Sequence, residues 1–323
     1  MQAAAFTKFG EPAVLTLQTL PDPEPGPGDV LVRTQAMGLN FADIYRRRGE
    51  YTLVPPSPYV LGYEGAGVVD KLGPGVRGVK IGDRVAFVDV PRANAELVVA
   101  PFEKVIPLPD DIPFQIAAAA LLQGLTAQYL TEETHPVQAG ETVLVHAASG
   151  GVGLFLVQLA KLRGARVIGI VSSRSKADAV LESGADETID SSSSDFLQVT
   201  RELTGGKGAD VVYDSVGTTL NKSIAAVKGR GHVVFFGWAG GRPALVDPRS
   251  LMEGSKRLSG GDLWDHLTTR DLRVHRAHQL LHWLRLKKIH LRLDSIFGLS
   301  KISEAHGRLE SRMSIGKILL VPG

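Results

Sequence analysis

Hydrophobic and polar positions change rhythm twice along this chain. Over residues 1–122, apolar residues come in short alternating runs at 3–6, 14–19, 29–36, 65–72, 84–88 and 95–99. Pro and Gly separate them, most densely in Pro21-Asp22-Pro23-Glu24-Pro25-Gly26-Pro27-Gly28. Period-two runs with such punctuation predict half-buried strands joined by tight turns, and so an all-β, partly closed barrel-like domain. Residues 40–48 interrupt it as a predicted short helix, Pro55-Pro56-Ser57-Pro58 stiffens a loop, and 113–122 predicts a helix bridging into the next domain.

From Gly140 onward, strands alternate with helices. The strand patterns fall at 141–145, 165–171, 187–190, 210–214 and 232–237, and the helical ones at 154–162, 176–183, 195–203 and 220–228. That alternation predicts a doubly wound parallel sheet with crossovers on both faces. Past residue 262 the pattern changes again, to helices at 271–286 and 303–311 and a last strand at 317–321. One strand cannot stand alone, so this tail is expected to fold back on the first domain. The expected domains are therefore 1–122 with 263–323, and 123–262; residues 256–261 are a candidate edge strand.

At the first strand-to-helix junction stands His146-Ala147-Ala148-Ser149-Gly150-Gly151-Val152-Gly153. A small-residue turn between a strand and a helix is the context in which Gly-x-Gly-x-x-Gly denotes a dinucleotide site, here with Ala148 as the first small residue. Ala148 permits the tight turn, Gly150 and Gly151 let backbone approach a pyrophosphate, and Gly153 lets the helix lie close. The phosphates would meet Ala148, Ser149, Gly150, Gly151 and Val152, at a helix N-terminus whose free N–H groups favour anions. The strand ends Ser215-Val216-Gly217 and Phe236-Gly237-Trp238-Ala239 would lie beside the same cofactor.

The second strand identifies the nucleotide. A site for NAD ends it with a carboxylate on the ribose 2′-hydroxyl, about 20 residues beyond the glycines. Here the place is taken by Ser172-Ser173-Arg174-Ser175-Lys176. Three hydroxyls and two cations suit a 2′-phosphate, so the expected cofactor is NADPH.

Composition narrows the remaining classes. The 323 residues carry 36 Lys+Arg against 34 Asp+Glu, a net +2, which supplies no electrostatic case for nucleic acid or an anionic membrane. There is no cysteine, and hence no disulfide, thiolate nucleophile or cysteine-ligated zinc. The start of the chain lacks a signal-peptide pattern, and no apolar run approaches the ~20 residues of a bilayer span, so a soluble cytoplasmic protein is expected.

Six separated motifs carry a resemblance that extends over nearly the whole chain: Gly38-Leu39-Asn40-Phe41-Ala42-Asp43 with Gly49-Glu50-Tyr51, Leu61-Gly62-Tyr63-Glu64-Gly65-Ala66-Gly67, Gly82-Asp83-Arg84-Val85, Gln123-Gly124-Leu125-Thr126-Ala127, the glycine turn, and Val212-Tyr213-Asp214-Ser215-Val216-Gly217. The sequence resembles the medium-chain dehydrogenase/reductase superfamily, in its zinc-free quinone oxidoreductase (zeta-crystallin-like) branch. The resemblance implies a GroES-like catalytic domain, a Rossmann NADPH-binding domain, a quinone or enone as small-molecule substrate, and a homodimer. It implies that Asn40, Asp43, Tyr51 and Thr126 line the nicotinamide and substrate pocket, and that Gly150, Gly151, Val152, Ser173 and Lys176 grip the phosphates. Glu64 stands where zinc-dependent relatives keep a glutamate. Ser191 replaces a frequent tyrosine, and Gln123 and Trp238 also depart from the branch pattern.

The chemistry fits those residue types. Hydride transfer needs C4 of a nicotinamide about 3–3.5 Å from an electrophilic carbon, and positioning supplies most of the acceleration. A quinone needs no strong acid, so Asn40 and Thr126 are candidates to orient a carboxamide or carbonyl, and Tyr51 to donate to the developing oxyanion. Helix capping is the alternative for Asn40 and Asp43, and a structural aromatic for Tyr51. Reduction of an activated C=C bond is the second function, with greater demand on Tyr51 as proton donor. An NADPH-binding structural or RNA-associated protein is a third. Arg46-Arg47-Arg48 reads as a solvated face or a basic entry. His275, His278 and His282 share a helix face without a carboxylate to complete a metal site, so no metal is expected. His146 reads as a satisfied buried histidine.

Overall fold

The computed structural model describes residues 1–323, which divide into two compact units. One comprises Met1–Leu125, Leu267–Leu286 and Leu291–Gly323; the other comprises Thr126–His266 and Lys287–His290.

The first unit is built on the 11-residue strand Asp29–Leu39. Glu64–Leu72 pairs antiparallel with most of its length, Leu97–Pro101 pairs with its first half, and Lys317–Val321 with its last residues. Arg84–Val88 and Val105–Pro107 extend the sheet on one side and Leu293–Gly298 closes it on the other, making seven strands. A second sheet of three strands sets Gln2–Phe6 between Thr16–Thr19 and Tyr59–Val60. The alternation read from sequence points Val30, Val32, Val69, Val85, Phe87 and Val98 into one core. Met37, Leu39, Leu61, Ile302, Ile318 and Leu320 form another at the far end of the long strand.

Several expectations about this unit are corrected. The strand expected at 29–36 continues to Leu39, because the returning Lys317–Val321 gives its last residues a partner. The strand Leu293–Gly298 was not anticipated: Asp294 and Ser295 break its apolar run, and it is held by parallel pairing to Lys317–Val321. Arg46 and Arg47 are buried, not solvated. Arg47 Nε donates to the Gly10 carbonyl at 2.9 Å and Nη2 to Glu310 at 2.6 Å, which removes the penalty of an unpaired buried charge. Only Arg48 keeps substantial exposure, at 40%.

The second unit is a six-stranded sheet. Its order is Glu187–Asp190, Arg166–Val171, Thr142–Val145, Ala209–Asp214, Val227–Phe235, Arg257–Gly260, all parallel. Numbered within the unit that is 3-2-1-4-5-6, so the winding reverses between Thr142–Val145 and Ala209–Asp214. The strands read as continuous apolar runs because helices such as Gly151–Leu162 and Phe196–Leu203 cover the sheet. The helix expected at 220–228 stops at Ala226, and the strand expected at 232–237 runs from Val227 to Phe235. Val227 pairs with Ala209, and that parallel pairing overrides the apolar periodicity that suggested more helix. No helix of the chain is long and apolar enough to cross a membrane.

Buried titratable groups give the fold a pH dependence. His306 is fully buried, and Arg47 Nη1 donates to its Nδ1 at 3.0 Å. Burial, helped by the Arg47 charge, pushes its pKa down to about 3. The unfolded chain takes up a proton near pH 6.5 that the folded chain refuses, so this stability is complete above about 6.5 and is lost as pH falls toward 3. Between pH 7 and pH 5 the wild-type chain should lose about 2 kcal/mol that His306→Gln does not lose, measured by denaturant unfolding at the two pH values.

Candidate functional site

At the point where the winding reverses, the strand Thr142–Val145 ends in the small-residue turn and the helix Gly151–Leu162 begins with Gly150 as N-cap. The turn is tight: Gly150 N–H donates to the Ala147 carbonyl at 2.9 Å, and Ala147 has φ +47°. A Cβ on Gly153 would fall far inside contact distance of the Ala147 carbonyl and the Ala148 backbone, so this position has no room for a side chain. Ala148 and Ser149 are buried beneath the turn. The first-turn N–H groups of such a helix have no preceding carbonyl to bond, which makes this end a ready anion site.

One strand over, Arg166–Val171 gives way to Ser172 and Ser173, then the short turn Arg174–Lys176. Lys176 is largely buried and donates from Nζ to Ser172 Oγ at 3.1 Å; Ser173 and Ser175 hydroxyls meet at 3.0 Å. Arg174 is exposed. A carboxylate that the reading of the second strand did not consider, Asp190, stands at the end of the third, in register with Val171. It is engaged by the Ser192 N–H at 2.9 Å and hydroxyl at 2.6 Å, and the Ser192 hydrogen bonds, the Arg174 backbone N–H and the Arg174 charge keep its pKa low. Ser191 donates to the Val171 carbonyl at 2.9 Å and so ties the two strand ends together.

Beyond the fourth strand, Ser215-Val216-Gly217 is held by Asp214 from below. Asp214 Oδ1 accepts the Val216 N–H at 2.8 Å and the Gly217 N–H at 3.1 Å, while Oδ2 accepts the Thr219 hydroxyl at 2.8 Å and the Ser223 hydroxyl at 2.7 Å. Burial raises its pKa, but His146 and these donors outweigh burial and hold it below the usual carboxylate range. Since Ser223 spends its one proton on Asp214, His146 Nε2 must donate to Ser223 Oγ at 3.0 Å, which fixes the tautomer. Burial lowers the His146 pKa, against the pull of Asp214, and keeps the ring neutral. The next strand end is stitched on by Phe236 N–H to the Asp214 carbonyl, Ala239 N–H to Ser215 and Gly240 N–H to Val216, at 2.8–3.0 Å. The sequence-derived groups 148–152, 172–176, 215–217 and 236–238 therefore all lie at carboxyl ends of strands in this sheet.

In the first unit, Asn40 caps the helix Phe41–Arg47 and Asp43 clamps that cap. Asp43 Oδ2 accepts the Asn40 N–H at 3.0 Å and Oδ1 the Gly62 N–H at 3.2 Å; burial raises its pKa, opposed by Arg46 and these N–H groups. This is the capping geometry that was the alternative for Asp43. Arg46, which the sequence reading left out of the site, links the group: its guanidinium lies 3.8 Å from Asp43, 3.6 Å over the Tyr63 ring and 4.8 Å from the Tyr51 ring. Burial raises the Tyr63 pKa, against the Arg46 charge. Thr126 belongs to the second unit, on the helix Phe114–Tyr129, and is largely buried. Of the three histidines on the helix Arg270–Arg285, His278 bonds the Pro107 carbonyl at 2.8 Å, and no three His, Asp or Glu side chains gather as a metal site.

A parallel sheet wound 3-2-1-4-5-6 with a glycine turn at its reversal defines a dinucleotide-binding protein. Comparison with known proteins extends this. The family model described as a zinc-binding dehydrogenase matches residues 151–272, and that described as an alcohol dehydrogenase GroES-like domain matches 26–110. The chain is 42% identical to a quinone oxidoreductase of Pseudomonas aeruginosa, covering 98% of each, and 37% identical to a 2-haloacrylate reductase of a Burkholderia species, covering 100% of this chain and 99% of the relative. Among solved structures it is similar to Escherichia coli quinone oxidoreductase complexed with NADPH, with TM-score 0.96, 35% identity and 100% of both chains covered. The chain belongs to the medium-chain dehydrogenase/reductase superfamily, in its quinone oxidoreductase branch.

Proposed function

We propose that this protein is an NADPH-dependent quinone oxidoreductase. The observation that carries the reading is a dinucleotide-type turn whose neighbouring strand ends in hydroxyls and a buried lysine instead of a carboxylate, in a chain alike end to end to quinone oxidoreductases. The residues fit the cofactor: Gly150 and Gly151 put no side chain where a pyrophosphate would press, Gly153 lets the helix close on the Ala147 and Ala148 backbone, and Ser172, Ser173, Arg174 and Lys176 offer donors and positive charge for a 2′-phosphate.

Bound NADPH supplies the hydride. The N–H groups at residues 151–153 and the helix dipole would hold the pyrophosphate. The loop 215–217, fixed by Asp214, and the strand end 236–238 would present a surface for the nicotinamide. Asn40 and Thr126 orient carbonyl groups of the reacting pair, Asp43 keeps Asn40 in place, and Tyr51, steadied by Arg46, donates a hydrogen bond to the oxygen on which charge develops. A reduced quinone oxygen then takes its proton from water, so no residue of the site has to act as a strong acid.

Reduction of an activated C=C bond is the second reading, favoured by the likeness to 2-haloacrylate reductase and by a tyrosine held against a buried arginine. We further propose a homodimer joined at the edge strand Arg257–Gly260, beside the segment that exposes Leu245 at 97% and Met252 at 78%.

Three measurements test these readings. Lys176→Ala should weaken NADPH binding about tenfold or more while leaving NADH binding unchanged, read by nicotinamide fluorescence titration; equal effects on both would remove the 2′-phosphate assignment. NADPH oxidation against paired quinone and enone panels should favour quinones, and Tyr51→Phe should lower quinone turnover by less than about tenfold but alkene turnover by about 100-fold or more. Light scattering should give the mass of two chains; a single-chain mass would overturn the dimer.

A further inference from the structure

A buried charge pair that the proposed reaction leaves unused touches Asn40. Glu64 opens the strand Glu64–Leu72 and Lys317 opens Lys317–Val321; neither side chain reaches solvent, and Lys317 Nζ lies 2.5 Å from Glu64 Oε1. Glu64 Oε2 accepts the Leu122 N–H at 2.9 Å. A Cβ at Gly38 would collide with the Glu64 carboxylate and the Ala118 carbonyl, so the adjacent strand carries a glycine where the pair lies.

Asn40 completes the cluster, and its proton accounting is forced. A carboxylate only accepts and an ammonium only donates. Asn40 must therefore turn Nδ2 toward Glu64 Oε1, at 2.7 Å, and Oδ1 toward Lys317 Nζ, at 2.8 Å. Gln123 Nε2 donates to the same Oδ1 at 3.3 Å. Both lone pairs of the amide oxygen are spent on these two donors, and one Nδ2 proton is spent on Glu64. What Asn40 has left is a single N–H.

We propose that Lys317 is a positioning residue: paired with Glu64, it occupies the Asn40 carboxamide oxygen and so makes Asn40 a one-proton donor to a carbonyl oxygen of the redox pair. The inference rests on the reading of Asn40 as a site residue and specifies which half of its amide acts. Two sources supply such an oxygen, the acceptor and the nicotinamide carboxamide, and the probes below separate them. A slip of the amide by half a turn would set its N–H₂ against Lys317 and its oxygen against Glu64, two repulsions at once, so the ion pair excludes the inverted orientation.

The chain has three asparagines, Asn40, Asn94 and Asn221, so protein labelled with ¹⁵N only in asparagine shows three side-chain amides, with Asn40 identified by its loss in Asn40→Ala. Duroquinone without nucleotide, and NADP⁺ without quinone, are the two probes. One Asn40 N–H proton should shift with one probe, naming the source, while its twin on Glu64 stays in place. If both protons move together, or neither moves with either probe, the proposal is overturned. Steady-state turnover with the best acceptor, quinone or enone, adds a second readout. Lys317→Arg should keep kcat within about threefold, and the charge-free Lys317→Met/Glu64→Gln should lose about tenfold or more in kcat and the one-sided shift, with its fold checked by thermal unfolding. Wild-type kcat in a folded double variant overturns the proposal. Should that variant not fold, the wild-type spectra decide alone. A one-sided shift in a protein that reduces enones and no quinone upholds the proposal and removes the quinone assignment.

Discussion

A carboxylate shut off from water has to be met by donors, and two such carboxylates, Asp214 and Glu64, organise what this chain can do. Each lies at or next to a strand end, each is saturated by groups from several elements, and each holds a neighbour in one orientation. Asp214 accepts two backbone N–H groups and two hydroxyls and thereby freezes the loop 215–217. Glu64 takes an ammonium, an amide and a backbone N–H and thereby freezes Asn40. Losing one donor from such a cluster costs more than a hydrogen bond, because the charge left behind cannot be resolvated.

The same logic governs the arginines of the helix Phe41–Arg47. Three in a row invite the image of a wet, basic surface, yet two of them are interior. Arg47 is consumed by Gly10, His306 and Glu310, and serves the fold. Arg46 spends Nε on the Thr52 carbonyl and lays its planar face on Tyr63, so it braces the aromatic pair and not a passing anion. Tyr51 therefore has a buried cation beside its ring.

The dinucleotide half and the polar half thus use different means. In the parallel sheet, bare backbone is what the turn presents: Gly150 and Gly151 carry no side chain, and Gly153 has no space for one. In the first unit, polar side chains hold one another with help from backbone groups. Substitution at the glycine turn is therefore a question of sterics, and substitution around Asn40 a question of proton accounting.

Much of this was legible before any coordinates. Strand, small residues and helix around residues 141–162 specify a local structure with one chemical use, and the absence of a carboxylate after Val171 is local too. The return of the tail followed from the impossibility of a lone strand, and Lys317–Val321 indeed pairs with Asp29–Leu39. What remained hidden depended on contacts distant in sequence. Nothing near Lys317 announces Glu64, 253 positions away, nor does anything near His146 announce Ser223, 77 positions away. Local pattern decides which elements form because propensity and periodicity act over a few residues. Which buried charges meet, and so which half of an amide is left free to act, is decided only when the strands have been brought side by side.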